Sequence, residues 1–235
     1  MGTLYIVSTP IGNLEDITYR AVKILSQVDF IACEDTRHTG SLLSRIPMIE
    51  TESKPRLISY YEQNELQRIP EIIEVLKNDQ NVALVSDAGT PAISDPGFKL
   101  IRECAREKIK IISVPGASSV ITALTSSGLP TDKFTFAGYP PRKPGHRKTF
   151  FENIKASQDF LKTTVILFEA PHKILKTLTE MQEVFGDIGI VIARELTKMH
   201  EEIRREKISA SLNHFKKKAP KGEIVLLFNL QCQSD

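Results

Sequence analysis

The chain of 235 residues has no tryptophan and only three cysteines, and no apolar stretch in it approaches the roughly 20 residues of a membrane-spanning helix. The cysteines, Cys33, Cys104 and Cys232, are odd in number and lack metal-ligand spacing. They read as free thiols of a reducing cytosol rather than as a disulfide framework or a zinc site. At the N-terminus, Leu4-Tyr5-Ile6-Val7 is too short for the apolar core of a signal peptide. Neither a Walker loop nor the Rossmann glycine pattern occurs, which counts against a nucleoside triphosphatase and a standard dinucleotide enzyme. There is no internal repeat or low-complexity segment, and no motif demands a metal. With 41% hydrophobic and 26% charged residues and a net charge of +2, the chain reads as an ordinary cytoplasmic, non-membrane protein. That balance argues neither for nor against nucleic acid.

What the chain does have is a long loop of small residues. The apolar run Val82–Ser86 empties into Asp87-Ala88-Gly89-Thr90-Pro91-Ala92-Ile93-Ser94-Asp95-Pro96-Gly97, and a helical pattern begins near Phe98. Small side chains let a ligand approach the backbone, glycine reaches dihedrals closed to other residues, and proline fixes the path. A simple turn between a strand and a helix needs far fewer residues.

Strand and helix alternate around this loop. Strands are expected at Thr3–Ser8, Val28–Cys33, Arg56–Tyr60, Val82–Ser86 and Lys110–Val114. Helices are expected at Thr18–Gln27, Thr36–Arg45, Glu71–Lys77 with Pro70 at its start, and Phe98–Glu107. This is the signature of a largely parallel sheet with crossover helices. After Pro115-Gly116 comes a helix at Ala117–Ser127, then strands at Phe134–Gly138, Thr164–Phe168, Gly189–Ala193, Ile203–Lys207 and Glu223–Leu230. Helices near His172–Phe185 and Ser209–Lys217 lie among these strands, and Pro140–Gly145 reads as a basic loop. Too few residues separate 189 and 207 for a crossover helix, so that pair is expected to be antiparallel. The fold class is α/β with two domains, a parallel one over 1–115 and a mixed-sheet one over 116–235.

Four loops follow strands of the first half: Thr9–Asn13, Glu34–Thr39, Asp87–Gly97 and Pro115–Ser119. Parallel strands bring all four to one sheet edge, where open α/β sheets bind ligands. The run Pro10-Ile11-Gly12-Asn13-Leu14-Glu15-Asp16-Ile17-Thr18 resembles the N-terminal signature of the ribosomal RNA small subunit methyltransferase I family, which has the tetrapyrrole methylase fold. The likeness continues through Glu34–Thr39, Leu57–Tyr60, Ser86–Gly97, Gly128–Asp132, Pro141–Lys143, Glu169–His172 and Ala193–Lys198, in order along nearly the whole chain.

The resemblance implies methyl transfer from S-adenosylmethionine to the ribose 2′-hydroxyl of a cytidine in the decoding region of 16S rRNA. It further implies a homodimer, with the cofactor in the cleft between the domains. Carried over by position, the cofactor meets Pro10, Ala88, Gly89, Thr90 and Ile93, with Ser118 and Ser119 beside its methionine moiety and Glu169 and Leu196 approaching from the second domain. Ser8, Ala92 and Ala117 depart from the family pattern, and Ala92 adds a methyl to the cofactor loop.

A hydroxyl nucleophile benefits from a base, and Glu34, Asp35, His38, Glu195 and Lys198 sit on the expected loops. Lys198 and Glu34 lead as catalytic residues, Lys198 on condition that burial lowers its pKa. Each has a plain structural alternative: Glu34 and Asp35 as helix caps, His38 as a helix-surface histidine, Arg37 and Arg194 as ion-pair partners. For the RNA, the 16S rRNA itself or the small ribosomal subunit, the expected contacts are Arg142, Lys143 and Arg147 of the basic loop, with Arg37 and His38. Tyr60, Tyr61 and Tyr139 are available as surfaces on which a base stacks. The run Lys216-Lys217-Lys218 with Lys221 reads as a solvated helix end. Two rivals stand beside this reading, a methylase of the same fold acting on a tetrapyrrole precursor and a ribosome-associated binding protein without turnover.

Overall fold

A computed structural model describes residues 1–46 and 54–231, so Cys232 lies outside the described residues. The chain forms two compact units, Met1–Ser118 and Ser119–Asp235.

In the first unit five strands, β1 (Thr3–Val7), β2 (Phe30–Cys33), β3 (Arg56–Ser59), β4 (Val82–Val85) and β5 (Lys110–Val114), form one sheet in the order β3-β2-β4-β1-β5. Every neighbouring pair is parallel. Alternation along the strands sends Leu4, Ala32, Val82 and Leu84 to one core and Val7, Ile31, Ala83 and Val85 to the other. Helices α1 (Tyr19–Gln27) and α2 (Thr36–Arg45) supply Leu25 and Leu42 to the second core. Helices α3 (Glu65–Lys77) and α4 (Phe98–Arg106) supply Leu76 and Leu100 to the first. The connections leaving the neighbours β1 and β4 therefore depart to opposite faces of the sheet, which opens a crevice at their carboxyl ends.

The second unit starts with α5 (Ser119–Ser127) and carries a mixed sheet of β6 (Phe134–Phe136), β7 (Thr164–Glu169), β8 (Gly189–Arg194), β9 (Glu202–Lys207) and β10 (Ile224–Phe228). The order is β6-β7-β10-β8-β9; β6 and β7 run parallel and the other pairs antiparallel. The antiparallel pairing expected between 189 and 207 is β8 with β9. Helices α6 (Pro144–Phe160), α7 (Ile174–Phe185) and α8 (Ile208–Lys217) cover one face through Phe151, Leu178 and Phe215. Helix α5 packs against β10, β8 and β9.

Two elements differ from expectation. Helix α3 begins at Glu65, six residues before the expected start, and Pro70 lies inside it. Proline removes the amide that would meet the Leu66 carbonyl, but both residues are exposed, so water takes up that carbonyl. Helix α6 lies where no helix was expected, and its first two residues fall in the stretch Pro140–Gly145 expected to be a basic loop. Pro144 occupies the first helical turn, where a missing amide costs nothing. Its buried positions Arg147, Phe151 and Gln158, with the half-buried Ile154, do follow helical spacing, but two of the four are polar, which hid the stripe.

Candidate functional site

At the carboxyl edge of the first sheet, three loops are stitched together. Thr9 and Gly89 exchange backbone hydrogen bonds, the Thr9 amide to the Gly89 carbonyl at 2.9 Å and the reverse at 3.1 Å. The Thr9 hydroxyl donates to the Ser86 carbonyl at 3.1 Å. Ser8 and Thr90 hydroxyls lie 3.0 Å apart, and the Thr90 hydroxyl donates to the Ala117 carbonyl at 3.1 Å. The backbones are so close that a Cβ at Gly116 would stand 2.9 Å from Ser8 Cβ, and one at Gly89 (φ +83°) would stand 3.2 Å from Ile11 Cγ2. Among the described residues the Ser86 hydroxyl, 4% exposed, has no hydrogen-bond partner.

Ala92 takes the left-handed region at φ +67°, so its methyl does not block the loop; it points toward Gly97. Gly97 in turn has φ +138°, and a Cβ there would meet Leu84 Cδ2 at 2.8 Å and Ala92 Cβ at 3.3 Å. Gly97→Ala is expected to cost about 2–4 kcal/mol, combining backbone strain with overpacking. Denaturant unfolding reads this, and a loss under about 0.5 kcal/mol would refute the tight packing of the loop.

Glu34 is half-buried on the same edge. Burial raises its pKa above the ordinary glutamate value, and the negative charges of Asp87, Asp95 and Glu62 raise it further. Asp35 caps α2: its carboxylate accepts from the Arg37 amide at 2.8 Å and binds the Arg37 guanidinium at 2.8 Å. Those bonds to Arg37 hold the Asp35 carboxyl well below its usual range. Asp87 accepts from the Asp35 amide at 3.2 Å, tying the loop after β4 to the loop after β2. Arg37 and His38 stand exposed on α2. Of the residues expected at the cofactor, Pro10 and Gly89 are buried, Ala88 and Ile93 are exposed, and Thr90 and Ser118 are half-buried. The Thr90 hydroxyl is committed to holding the loops.

The second unit carries two turns of interest. After β8, Glu195 and Thr197 adopt φ +52° and +63°. The Glu195 carboxylate accepts from Lys198 Nζ at 2.9 Å and from the Glu223 amide at 3.0 Å, over Gly222, where any Cβ would collide with it. Arg194 pairs with Glu202 at 3.1 Å and donates to the Lys221 carbonyl, so it is an ion-pair partner. Leu196 is buried, and Ser119, in the first turn of α5, is half-buried. After β7, Glu169 is 4% exposed; its carboxylate accepts from the Ala170 amide at 2.8 Å and from the Thr177 hydroxyl.

Three expectations are corrected. Lys198 does not have a lowered pKa: burial pulls it down, but hydrogen bonds to Glu195 and to Glu223 at 3.0 Å outweigh burial and hold it above the ordinary lysine value. The two ion pairs favour its charged form, against the lowered pKa that a base role required. Tyr60 is 1% exposed, packed in the first unit's core with its hydroxyl donating to the buried Glu65 at 3.1 Å, so no base stacks on it. Arg147 is 2% exposed, paired with Glu180 at 2.7 Å and donating to the Thr177 hydroxyl at 2.8 Å. It lies one turn inside α6 and is no RNA contact, whereas Arg142 and Lys143 are exposed. Sequence reasoning missed Ser86, Thr177 and Glu180; their types are common everywhere, and only their burial marks them out.

The cysteines Cys33 and Cys104 are free and buried, and burial pushes the Cys104 thiol up to about 12. Among the described residues no group of three or more His, Cys, Asp or Glu side chains could hold a metal ion.

Residues 3–211 match the family model described as Tetrapyrrole (Corrin/Porphyrin) Methylases. The chain is 45% identical to the ribosomal RNA small subunit methyltransferase I of Thermotoga maritima over 97% of its own length and 99% of that protein's. It is 48% identical to the protein of that name from a Hydrogenobaculum species, over 96% and 95% of the two lengths. A crystal structure of uroporphyrin-III C-methyltransferase from Thermus thermophilus, complexed with S-adenosylhomocysteine, superposes with a TM-score of 0.64 at 15% identity, covering 98% of this chain and 99% of that one. At that identity the likeness speaks for the fold alone. Near-full-length identity close to one residue in two, on a sheet order and loop set of this kind, makes the chain a member of the tetrapyrrole methylases and, within them, of the ribosomal RNA small subunit methyltransferase I family.

Proposed function

We propose that the protein uses S-adenosylmethionine to methylate small-subunit ribosomal RNA, at the ribose 2′-hydroxyl of a cytidine in the decoding region, in the cytoplasm and as a homodimer. The observation that carries this reading is the carboxyl edge of β1 and β4, where small residues bring three backbones together beside a half-buried carboxylate. The donor set suits the cofactor. A carboxylate-rich edge of Glu34, Asp87 and Asp95 favours a cationic ligand, and the Ser86 hydroxyl is buried without a partner. When bound, S-adenosylmethionine supplies an electrophilic methyl group on a sulfonium.

The chain's own residues do the rest. Pro10, Ala88, Gly89, Thr90, Ile93 and Ser118 of the first unit line the cofactor's path, and Ser119, Glu169 and Leu196 of the second unit keep the roles the resemblance implies. Glu34 accepts the 2′-hydroxyl proton at a carboxylate oxygen; burial and the neighbouring carboxylates raise its pKa, which makes it a better base than an exposed glutamate. Lys198, held protonated, contributes a fixed positive charge.

Arg142 and Lys143, exposed and without a carboxylate partner among the described residues, contact RNA phosphates, with Arg37 and His38 as further contacts. Arg142→Ala with Lys143→Ala is expected to weaken RNA binding and lower the slope of log K against log salt by about 1.5–2, leaving cofactor affinity unchanged. Filter binding across a salt series measures this, and an unaltered slope would remove the assignment.

The deciding experiment offers methyl-labelled S-adenosylmethionine with small ribosomal subunits lacking the modification and, separately, with a tetrapyrrole precursor. Label in rRNA, traced to a ribose by nuclease digestion and mass spectrometry, is the expected result. Label in the tetrapyrrole alone would overturn the proposed substrate.

A further inference from the structure

A buried polar chain runs through the second unit from α6 to the turn after β7. Arg147 donates from Nη2 to the Thr177 hydroxyl at 2.8 Å, and that hydroxyl donates onward to the Glu169 carboxylate. The other Glu169 oxygen accepts from the Ala170 amide at 2.8 Å. Each hydroxyl has one proton to give, so the direction is fixed: Arg147 can only donate, Thr177 accepts it and donates, and Glu169 accepts from both sides as an ionised carboxylate. Arg147 also pairs with Glu180 at 2.7 Å, which places one buried cation between two carboxylates, one reached directly and one through a hydroxyl. At its other end the Arg147 amide donates to the Lys143 carbonyl at 3.1 Å, which seats the first turn of α6 and the exposed Arg142 and Lys143 beside it.

We propose that Arg147 and Thr177 are positioning residues for the turn after β7: through the Glu169 carboxylate they fix the Ala170 amide and the residues that follow it, and they join that turn to the start of α6. The inference rests on the reading above that the turn after β7 serves the cofactor. Its physical basis is that a buried carboxylate with two acceptor bonds satisfied has one geometry, whereas one stripped of a donor must turn or take up a proton. Neither Arg147 nor Thr177 needs to touch the cofactor. The arrangement accounts for a fully buried arginine in a segment whose neighbouring cations face solvent.

Thr177→Val tests this, because it keeps the side-chain volume, the Arg147–Glu180 pair and the seat of α6 while removing the link to Glu169. Two readouts are taken well below the unfolding temperature: hydrogen exchange at the Ala170 amide in the ligand-free protein, and S-adenosylmethionine affinity by calorimetry. Faster exchange at Ala170 with an affinity loss of about tenfold, both restored in Thr177→Ser, is the expected result. A Thr177→Val protein with a lowered melting temperature but unchanged Ala170 exchange, or with cofactor affinity within twofold of wild type, would show an ordinary packing role and overturn the proposal. Wild-type protein that fails to bind the cofactor overturns the methyltransferase reading, and this inference with it. Binding by wild type with Thr177→Val matching it overturns this inference alone.

Discussion

Glu34→Gln is expected to slow methyl transfer by about 10²–10⁴-fold and at the same time to make the folded protein more stable at neutral pH. Both effects follow from one environment. Burial and the carboxylates of Asp87, Asp95 and Glu62 raise the Glu34 pKa in the folded state. A raised pKa means that the folded protein prefers Glu34 protonated. Its favourable contribution is complete below the unfolded pKa and is lost as pH rises through the folded one. At pH 7, above the unfolded pKa, the glutamate is therefore a burden that glutamine removes; below the ordinary glutamate pKa the two proteins should be equally stable. The wild-type rate should fall as pH drops through the raised pKa, and this limb should vanish in the variant. Single-turnover rates and melting temperatures from pH 4 to 8 test both. A variant that keeps wild-type rate would remove Glu34 from the chemistry. One that is slow but not stabilised at pH 7 would instead contradict the electrostatic account.

The largest loss of stability is expected at Arg147. Arg147→Ala leaves the Glu180 carboxylate without its cation at 2.7 Å and the Thr177 hydroxyl without its donor at 2.8 Å, in a site where the arginine is 2% exposed. Removing one partner of a buried pair costs about 3–5 kcal/mol, chiefly the desolvation of the charge left behind. Replacing both partners with apolar side chains of similar volume, Arg147→Met with Glu180→Leu, should recover a large part of that, because no unpaired charge remains. Denaturant unfolding of wild type and the two variants makes the comparison. A single variant within about 1 kcal/mol of wild type would mean that water or a rearranged α6 satisfies Glu180, and the buried arginine would lose its structural importance.

The two sites differ in how far the sequence discloses them. Loops after β1, β2, β4 and β5 were legible because glycine, proline and small residues following apolar runs are local signals, and parallel pairing alone brings them to one edge. Glu34 and Asp35 were legible as a pair on one loop, but not their division of labour. Asp35 becomes a helix cap whose pKa falls through its bonds to Arg37, while Glu34 keeps a raised pKa because it is half-buried and two other loops bring the carboxylates of Asp87, Asp95 and Glu62 toward it. At two other positions the surrounding sequence misled. Arg147 sits among exposed basic neighbours in sequence, and Tyr60 follows a strand where a stacking surface was expected, yet both point inward.

From the sequence alone follow the alternation of strands and helices, the parallel first sheet, the antiparallel β8–β9 pair, the small-residue loops and the family. All of these rest on periodicity, local dihedral preference and residue identity, which neighbouring positions already carry. Tertiary structure alone decided that Arg147 and Tyr60 are interior, that Lys198 stays charged between Glu195 and Glu223, and that the Ser86 hydroxyl is buried without a partner. The reason is physical. Whether a polar side chain is solvated or buried, and in which protonation state, depends on the charge and hydrogen-bonding groups that distant segments bring to it, and its own stretch of chain holds no record of them.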